Sequence, residues 1–93
     1  MNPARGEVAL SIDGAPRTLC LTLGALADIE AALGCDGFTA LAVRLKALSA
    51  ADLLLVVQAL LTGGEGVSLD LSTARIDPAE AARAVAECFE RAL

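Results

Sequence analysis

The chain of 93 residues contains no histidine, tryptophan or tyrosine and only two phenylalanines. Histidine is the commonest general base in enzymes and the usual partner of a cysteine nucleophile, so its absence removes most familiar catalytic arrangements. Aromatic rings for stacking on bases are nearly absent, and the net charge of −5 comes without any run of basic residues. We therefore expect neither an enzyme nor a nucleic-acid-binding protein.

The three cysteines, Cys20, Cys35 and Cys88, form no Cys-x-x-Cys pair. Without histidine, a zinc site would need all three thiolates and a carboxylate or water, which is a rare ligand set. An odd number of such cysteines is typical of free thiols in a reducing compartment. The sequence thus predicts no metal site.

Two other segments share some features with ligand sites. Gly63-Gly64-Glu65-Gly66 is glycine-rich like a phosphate-binding loop, but it lacks the Lys-Ser/Thr pair and follows a predicted helix instead of a strand. Asp28, Glu30 and Asp36 lack the regular spacing of a calcium loop. We expect a flexible turn and a solvated acidic face, and no cofactor.

No apolar segment is long enough to cross a membrane. The longest, from Ala50 to Leu61, has about 12 residues where about 20 are needed, and it contains Asp52 and Gln58. After Arg5 the chain continues directly into an alternating, charged segment, unlike the apolar core of a signal peptide. We therefore expect a cytoplasmic protein with no membrane partner.

Residues 6–22 have the period-two pattern of a β-hairpin around an Asp13-Gly14 turn, in which glycine accepts a positive φ. The apolar positions, which alternate with polar or small residues, are Val8, Leu10, Ile12, Leu19 and Leu21. Because two strands alone are marginal in water, this apolar face must pack on helices.

Four helices are predicted after the hairpin, and capping residues set their ends. Thr22 is the expected N-cap of the first helix, and Gly34 its left-handed C-cap. Ser49 and Asp52 have the spacing of a capping box, and Asp77 precedes a proline at the first helical position. The predicted helices cover approximately residues 23–33, 38–47, 50–62 and 78–92.

Apolar stripes at helical spacing give the expected core faces of the second and last helices. They are Phe38, Leu41, Leu45 and Leu48 in the second helix, and Ala81, Ala82, Val85, Cys88 and Phe89 in the last. Within residues 63–76, the part from Val67 to Ser72 fits either an extended segment or a short helical turn. The predicted architecture is a single α+β domain, residues 1–93, with an N-terminal two-stranded antiparallel β-hairpin packed on a small bundle of four α-helices.

The third helix is apolar nearly all round. Such a helix either lies at the centre of the core or leaves part of its surface for a partner. In the second case it would line a groove for a partner's amphipathic helix. The candidate partner-binding residues are Leu53, Leu54, Val57 and Leu61.

Taken as a whole, the sequence resembles the small tail proteins of gene transfer agents and related prophages, a family described both as tail tube proteins and as tail assembly chaperones. The order of the matching segments carries the resemblance more than any single one. They are Arg5-Gly-Glu-Val-Ala-Leu with Ile12-Asp-Gly14, Leu19-Cys-Leu-Thr-Leu-Gly-Ala-Leu-Ala-Asp-Ile-Glu-Ala-Ala-Leu-Gly34, Ser49-Ala-Ala-Asp-Leu, Ala59-Leu-Leu-Thr-Gly-Gly64 and Asp77-Pro-Ala-Glu-Ala-Ala82.

The resemblance implies a non-enzymatic role in building a phage-like tail, with no catalytic residues. One function it implies is a chaperone in the host-cell cytoplasm that binds the helical tape-measure protein or another tail protein. The alternative is a structural tail tube component that self-associates and is incorporated in the phage-like particle.

Overall fold

A computed structural model describes residues 6–92, so residues 1–5 and residue 93 lie outside the described part. The elements are β1 (Glu7–Ile12), β2 (Ala15–Cys20), α1 (Leu23–Leu33), α2 (Phe38–Leu45), α3 (Ala50–Glu65) and α4 (Pro78–Ala92). The predicted α+β class is confirmed, because an antiparallel hairpin is followed by four helices. The assignment of residues 1–93 to a single domain stays a prediction.

The hairpin closes through a two-residue turn between Ile12 and Ala15. Asp13 and Gly14 have φ values of 54° and 80°, the pair of positive angles that a type I′ turn requires. The predicted apolar face is buried except for Leu21, which follows the end of β2 and is half-buried. The strand stops there because the chain turns to begin α1.

The predicted capping residues of three helices make the expected hydrogen bonds. The Thr22 hydroxyl accepts from the Ala25 N–H at 3.1 Å, and Gly34 has a left-handed φ of 67° at the end of α1. Ser49 forms its capping box at the start of α3. At α4, the Asp77 carboxylate accepts from the Ala79 N–H at 2.8 Å. Local sequence therefore determines where these helices begin.

The third helix is longer than predicted, because it continues through Gly63 and Gly64 to Glu65. A Cβ on Gly63 would come closer than 3.0 Å to the carbonyl oxygen of Cys20, and one on Gly64 equally close to that of Thr18. These glycines therefore allow the helix backbone to touch the outer edge of β2. The predicted end at residue 62 was wrong because this close packing outweighs the low helix propensity of glycine.

The last residue of α3 fastens the helix to the same strand. The Thr18 N–H donates to the Glu65 carboxylate at 2.8 Å, and the Arg17 guanidinium donates to it at 3.2 Å. Arg17 lies opposite Leu10 in the hairpin, on the face that packs against the helices. The Glu65 carboxylate thus accepts hydrogen bonds from a backbone N–H at the outer edge of β2 and from a guanidinium on the inner face of the hairpin.

Two of the predicted stripes differ from the buried residues. In α4, Ala84 is buried in place of Ala82, which is exposed, because the helix is rotated slightly about its axis relative to the prediction. In α2, which ends at Leu45 and not at residue 47, Leu41 is the buried member of the stripe, and Phe38 is 60% exposed. Leu45 and Leu48 are half-buried. The second helix therefore packs less closely on the core than predicted.

The segment between α3 and α4 contains neither the extended piece nor the helical turn considered above. It is an irregular loop whose Leu71 side chain is buried. The Arg75 N–H donates to the Asp13 carboxylate at 2.7 Å, and the Asp13 N–H donates to the Arg75 carbonyl at 3.0 Å. At the other end, the Thr62 hydroxyl donates to the Val67 carbonyl at 3.3 Å. The loop is thus fixed to α3 and to the hairpin turn.

Replacing Gly64 with alanine tests the contact between α3 and β2. The added methyl group has no space against the Thr18 carbonyl, so we expect G64A to lower the free energy of unfolding by about 1–3 kcal/mol. Gly24 is the matched control, because it is helical and a Cβ there would lie 3.9 Å from its nearest neighbour. G24A should raise stability by up to about 1 kcal/mol. Urea unfolding measures both, and equal effects would contradict the close packing.

Glu65 should make stability depend on pH. The hydrogen bond from the Thr18 N–H, with help from Arg17, holds the pKa of Glu65 below its ordinary value of 4.5. Because this pKa is lower in the folded state than in the unfolded state, the stabilisation is complete above the unfolded-state value and is lost as the pH falls through the folded-state value.

We therefore expect E65Q to reduce the loss of stability that wild type shows between about pH 6 and about pH 3. The Ser72 hydroxyl and N–H also lower the pKa of Asp70. Asp70 therefore contributes to the pH dependence of stability in wild type and in E65Q alike. Urea unfolding at each pH isolates the Glu65 part as the difference between the two proteins. The same pH dependence in both would show that the folded state does not stabilise the ionised Glu65 carboxylate more than the unfolded state does.

Candidate functional site

The two halves of α3 have different surroundings. Its C-terminal half is buried against the hairpin and α1, where Leu60 and Leu61 are fully covered. In its N-terminal half, Leu54 is 39% and Leu55 46% exposed, whereas Val56 and Val57 are buried. The C-terminal half therefore belongs to the core, and the exposed apolar surface of the helix lies in its N-terminal half.

The four predicted partner-binding residues lie at different depths. Leu53 is half-buried and Leu54 is exposed, and both reach the molecular surface. Val57 is almost fully buried but contributes to the floor of a surface cleft. Leu61 is fully buried in the core and lines none of the surface depressions described here. The structure thus brings three of the four residues together and separates Leu61 from them.

Leu53, Leu54 and Val57 lie on one side of an apolar cleft, which we call the α3 cleft. Its volume is about 230 Å³, and its other wall comes from the loop and the start of α4, including Leu71 and Ile76. Among the described residues, this wall has little polar surface, and its hydroxyl group belongs to Ser72. The cleft is therefore suited to an apolar side chain.

A larger depression, the α2–α4 groove, lies on the other side of Leu53. It has a volume of about 640 Å³ and separates α2 from α4. Its apolar lining consists mainly of Leu45, Leu48, Leu53, Val85 and Phe89. The groove exists because α2 is held away from α4, so that apolar side chains of both helices face the space between them.

The groove extends toward the start of α2. Phe38, Leu41 and Phe89 line a further depression of about 220 Å³, which shares Leu45 with the groove. Sequence reasoning missed this surface because it assigned the whole stripe of α2 to the core. Val43, which is 66% exposed and lies off that stripe, was a sign that α2 carries more apolar surface than the core can cover.

Charged groups occur at the rim of the groove and not on its floor. Lys46 and Glu90 lie at the rim with opposite charges, so the groove does not select strongly for a partner of one sign. An ion pair of 3.0 Å between Arg44 and Asp52 connects α2 to the start of α3. Because these side chains remain partly exposed, the ion pair orients α2 more than it stabilises the fold.

The acidic and cysteine side chains are the groups to consider for metal or covalent chemistry. Within residues 6–92, no group of three or more acidic, cysteine or histidine side chains is placed to hold a metal ion. Burial raises the pKa of the Cys88 thiol to about 11, so it is protonated and unreactive at neutral pH. In the same part of the chain, no helix is long and apolar enough to cross a membrane. The chemistry of the site is the burial of apolar side chains.

The fold and this surface define a small α+β protein with apolar depressions on its surface. A family model described as phage tail tube protein, GTA-gp10, matches residues 5–93. The chain therefore belongs to this phage tail protein family, and the resemblance found in the sequence is confirmed. Neither the curated proteins nor the solved structures contained a match.

Two leucines of α3 provide a test of which half of the helix is free. Leu60 is fully buried, so L60A should lower the free energy of unfolding by about 2–5 kcal/mol. Leu54 is 39% exposed, and L54A should cost less than about 1.5 kcal/mol because little buried contact is lost. Thermal or urea unfolding measures both. Equal losses would show that the whole helix is core and that the α3 cleft is closed in solution.

Proposed function

We propose that this protein is a non-enzymatic tail assembly protein that binds an amphipathic helical segment of the tape-measure protein. The α2–α4 groove and the α3 cleft would be the binding surface, with Leu53 shared between them. The observation that carries the proposal is that apolar side chains line two adjoining depressions on the surface. Family membership supports a tail protein as the partner.

The dimensions of the groove suit a helix. The eight residues of α2 give one wall a length of about 12 Å, which equals about two turns of a helix lying beside it. Two turns present three or four apolar side chains at i, i+3, i+4 and i+7. Those side chains would contact Leu45, Leu48 and Phe89 in the groove, with one more reaching Leu53.

Binding a long helix along its length favours weak contacts at each site. Two turns bury few side chains, so one copy of the domain would hold its segment with modest affinity. Several copies on one tape-measure protein would together cover its apolar surface, and each could still leave when tube subunits arrive. This behaviour fits a chaperone that acts in the host-cell cytoplasm during tail assembly.

The description of the family favours a second candidate, a structural tube component that self-associates and stays in the tail. The described residues contain a single sheet of two strands. A tube wall built from such a domain would need sheet or helix contacts between copies. The two candidates differ in what the chain does alone, because the tube component forms rings or tubes without a partner.

Co-expression with the tape-measure protein of the same genome, followed by pull-down and size analysis, tests the proposal. We expect a soluble complex with several copies of this chain per partner. L53D should weaken capture by about tenfold or more, because a carboxylate replaces an apolar contact in both depressions. L55D is the matched control, since Leu55 is on the same helix, is 46% exposed and lines neither depression.

Circular dichroism and urea unfolding of both variants separate loss of binding from loss of folding. Equal capture by folded L53D and by wild type would refute the proposed surface. Rings or tubes formed by the chain alone, without capture of the tape-measure protein, would favour the tube component instead.

A further inference from the structure

The two edges of the hairpin are not equivalent. The Thr18 N–H donates to Glu65, and the Thr18 and Cys20 carbonyls face Gly63 and Gly64, so these groups of β2 point away from β1. In an antiparallel pair the outward-pointing residues lie opposite each other. Thr18 pairs with Ala9, so the N–H and C=O of Ala9 also point outward, from the free side of β1.

The next pair along the hairpin agrees with this alternation. Ser11 lies opposite Pro16, which has no N–H to donate to the ladder. Ser11 therefore also directs its backbone groups outward. Helix α3 covers the outer edge of β2, whereas the described residues provide no strand beside β1. The outer edge of β1 thus presents the backbone groups of Ala9 and Ser11, which is a short template for another strand.

A groove of about 410 Å³ runs between this edge and α4. Ala9 and Ser11 are exposed and have small side chains, so they do not obstruct it. The facing side of α4 carries Glu80, Arg83, Glu87 and Arg91. Within α4, Arg83 pairs with Glu80 at 3.9 Å and Arg91 with Glu87 at 3.5 Å. These are partly exposed ion pairs, which contribute little to stability and can be exchanged for others.

The order of these charges along α4 is complementary to that of a second, antiparallel copy of the same helix. Read from the opposite end, the series Glu80, Arg83, Glu87, Arg91 has every sign reversed. Two copies of α4 placed antiparallel about a two-fold axis would therefore bring Arg83 close to Glu87 of the other copy, and Glu80 close to its Arg91. A contact of this kind uses the same patch on both molecules.

The same two-fold axis is compatible with the direction and length of β1. The Glu7 carbonyl accepts from Arg91 at 3.2 Å, and just before α4 the Arg75 N–H donates to the Asp13 carboxylate at 2.7 Å, so α4 runs antiparallel to β1. From Gly6 to Ser11 the strand advances by about 16 Å, and so does the helix from Glu80 to Arg91. Along the strand direction, an axis through Ala9 therefore lies near the middle of the charge series.

We propose that a second copy of this chain docks on the outer edge of β1. The two β1 strands pair antiparallel about a two-fold axis at Ala9, which makes one four-stranded sheet. Backbone hydrogen bonds join Ala9 to Ala9 of the other copy, and the charges of α4 fix the register. This dimer goes beyond the proposed function, because it uses a different side of α4 from the α2–α4 groove.

Charge-reversal variants test the dimer directly. R83E places glutamate against Glu87 of the other copy, and E87R places arginine against Arg83. Each should weaken self-association at least tenfold in sedimentation velocity at low salt. An equimolar mixture of the two variants restores both opposite-charge contacts, so it should dimerise like wild type. D28R is the matched control for a charge change, since Asp28 is exposed on α1, outside the groove.

A backbone variant tests the strand pairing. A9P removes an outward N–H without removing a hydrogen bond to β2, so it should fold and remain monomeric, whereas A9S should still dimerise. If A9P fails to fold, the charge-reversal series decides alone. A wild-type protein that stays monomeric at every concentration would overturn the proposal. So would a dimer or ring that R83E and E87R leave unchanged.

Discussion

The close contact between the end of α3 and the outer edge of β2 determines much of the remaining structure. Gly63 and Gly64 let the helix backbone touch the strand, and Glu65 then takes up the free Thr18 N–H. The hairpin, which would be marginal by itself, becomes part of a three-element unit. Because this contact occupies the outer edge of β2, the proposed dimer uses the other edge of the sheet, on β1.

The same contact explains where apolar surface remains. Leu60 and Leu61 are buried in the half of α3 that is fixed on β2, whereas Leu54 and Leu55 of the other half remain exposed. Helix α2 connects to the start of α3 through the ion pair between Arg44 and Asp52 and packs little on the core. The α2–α4 groove therefore lies between α4 and a helix that is only loosely packed on the core.

Local sequence predicted the parts of the fold that depend on neighbouring residues. The Asp13-Gly14 turn and the capping residues Thr22, Ser49 and Asp77 act within a few positions of the chain, and the structure confirms them. The helical state of Gly63-Gly64 depends on a strand that is distant in sequence, so propensity gave the wrong helix end. The burial of Ala84 in place of Ala82 depends in the same way on the rotation of α4 in the assembled core.

The candidate site could likewise be predicted from the sequence only in part. The surplus of apolar residues in α3 was visible in the sequence, but the residues that remain accessible were not, because accessibility depends on what α1 and the hairpin cover. Helix α4 shows why this matters for function, since it has three different faces. Ala81, Ala84 and Cys88 face the core, Val85 and Phe89 reach the α2–α4 groove, and Arg83 and Glu87 face the edge of β1. A helix bound in the groove would therefore not compete with a second copy at β1, so paired copies could each hold a segment of one long partner.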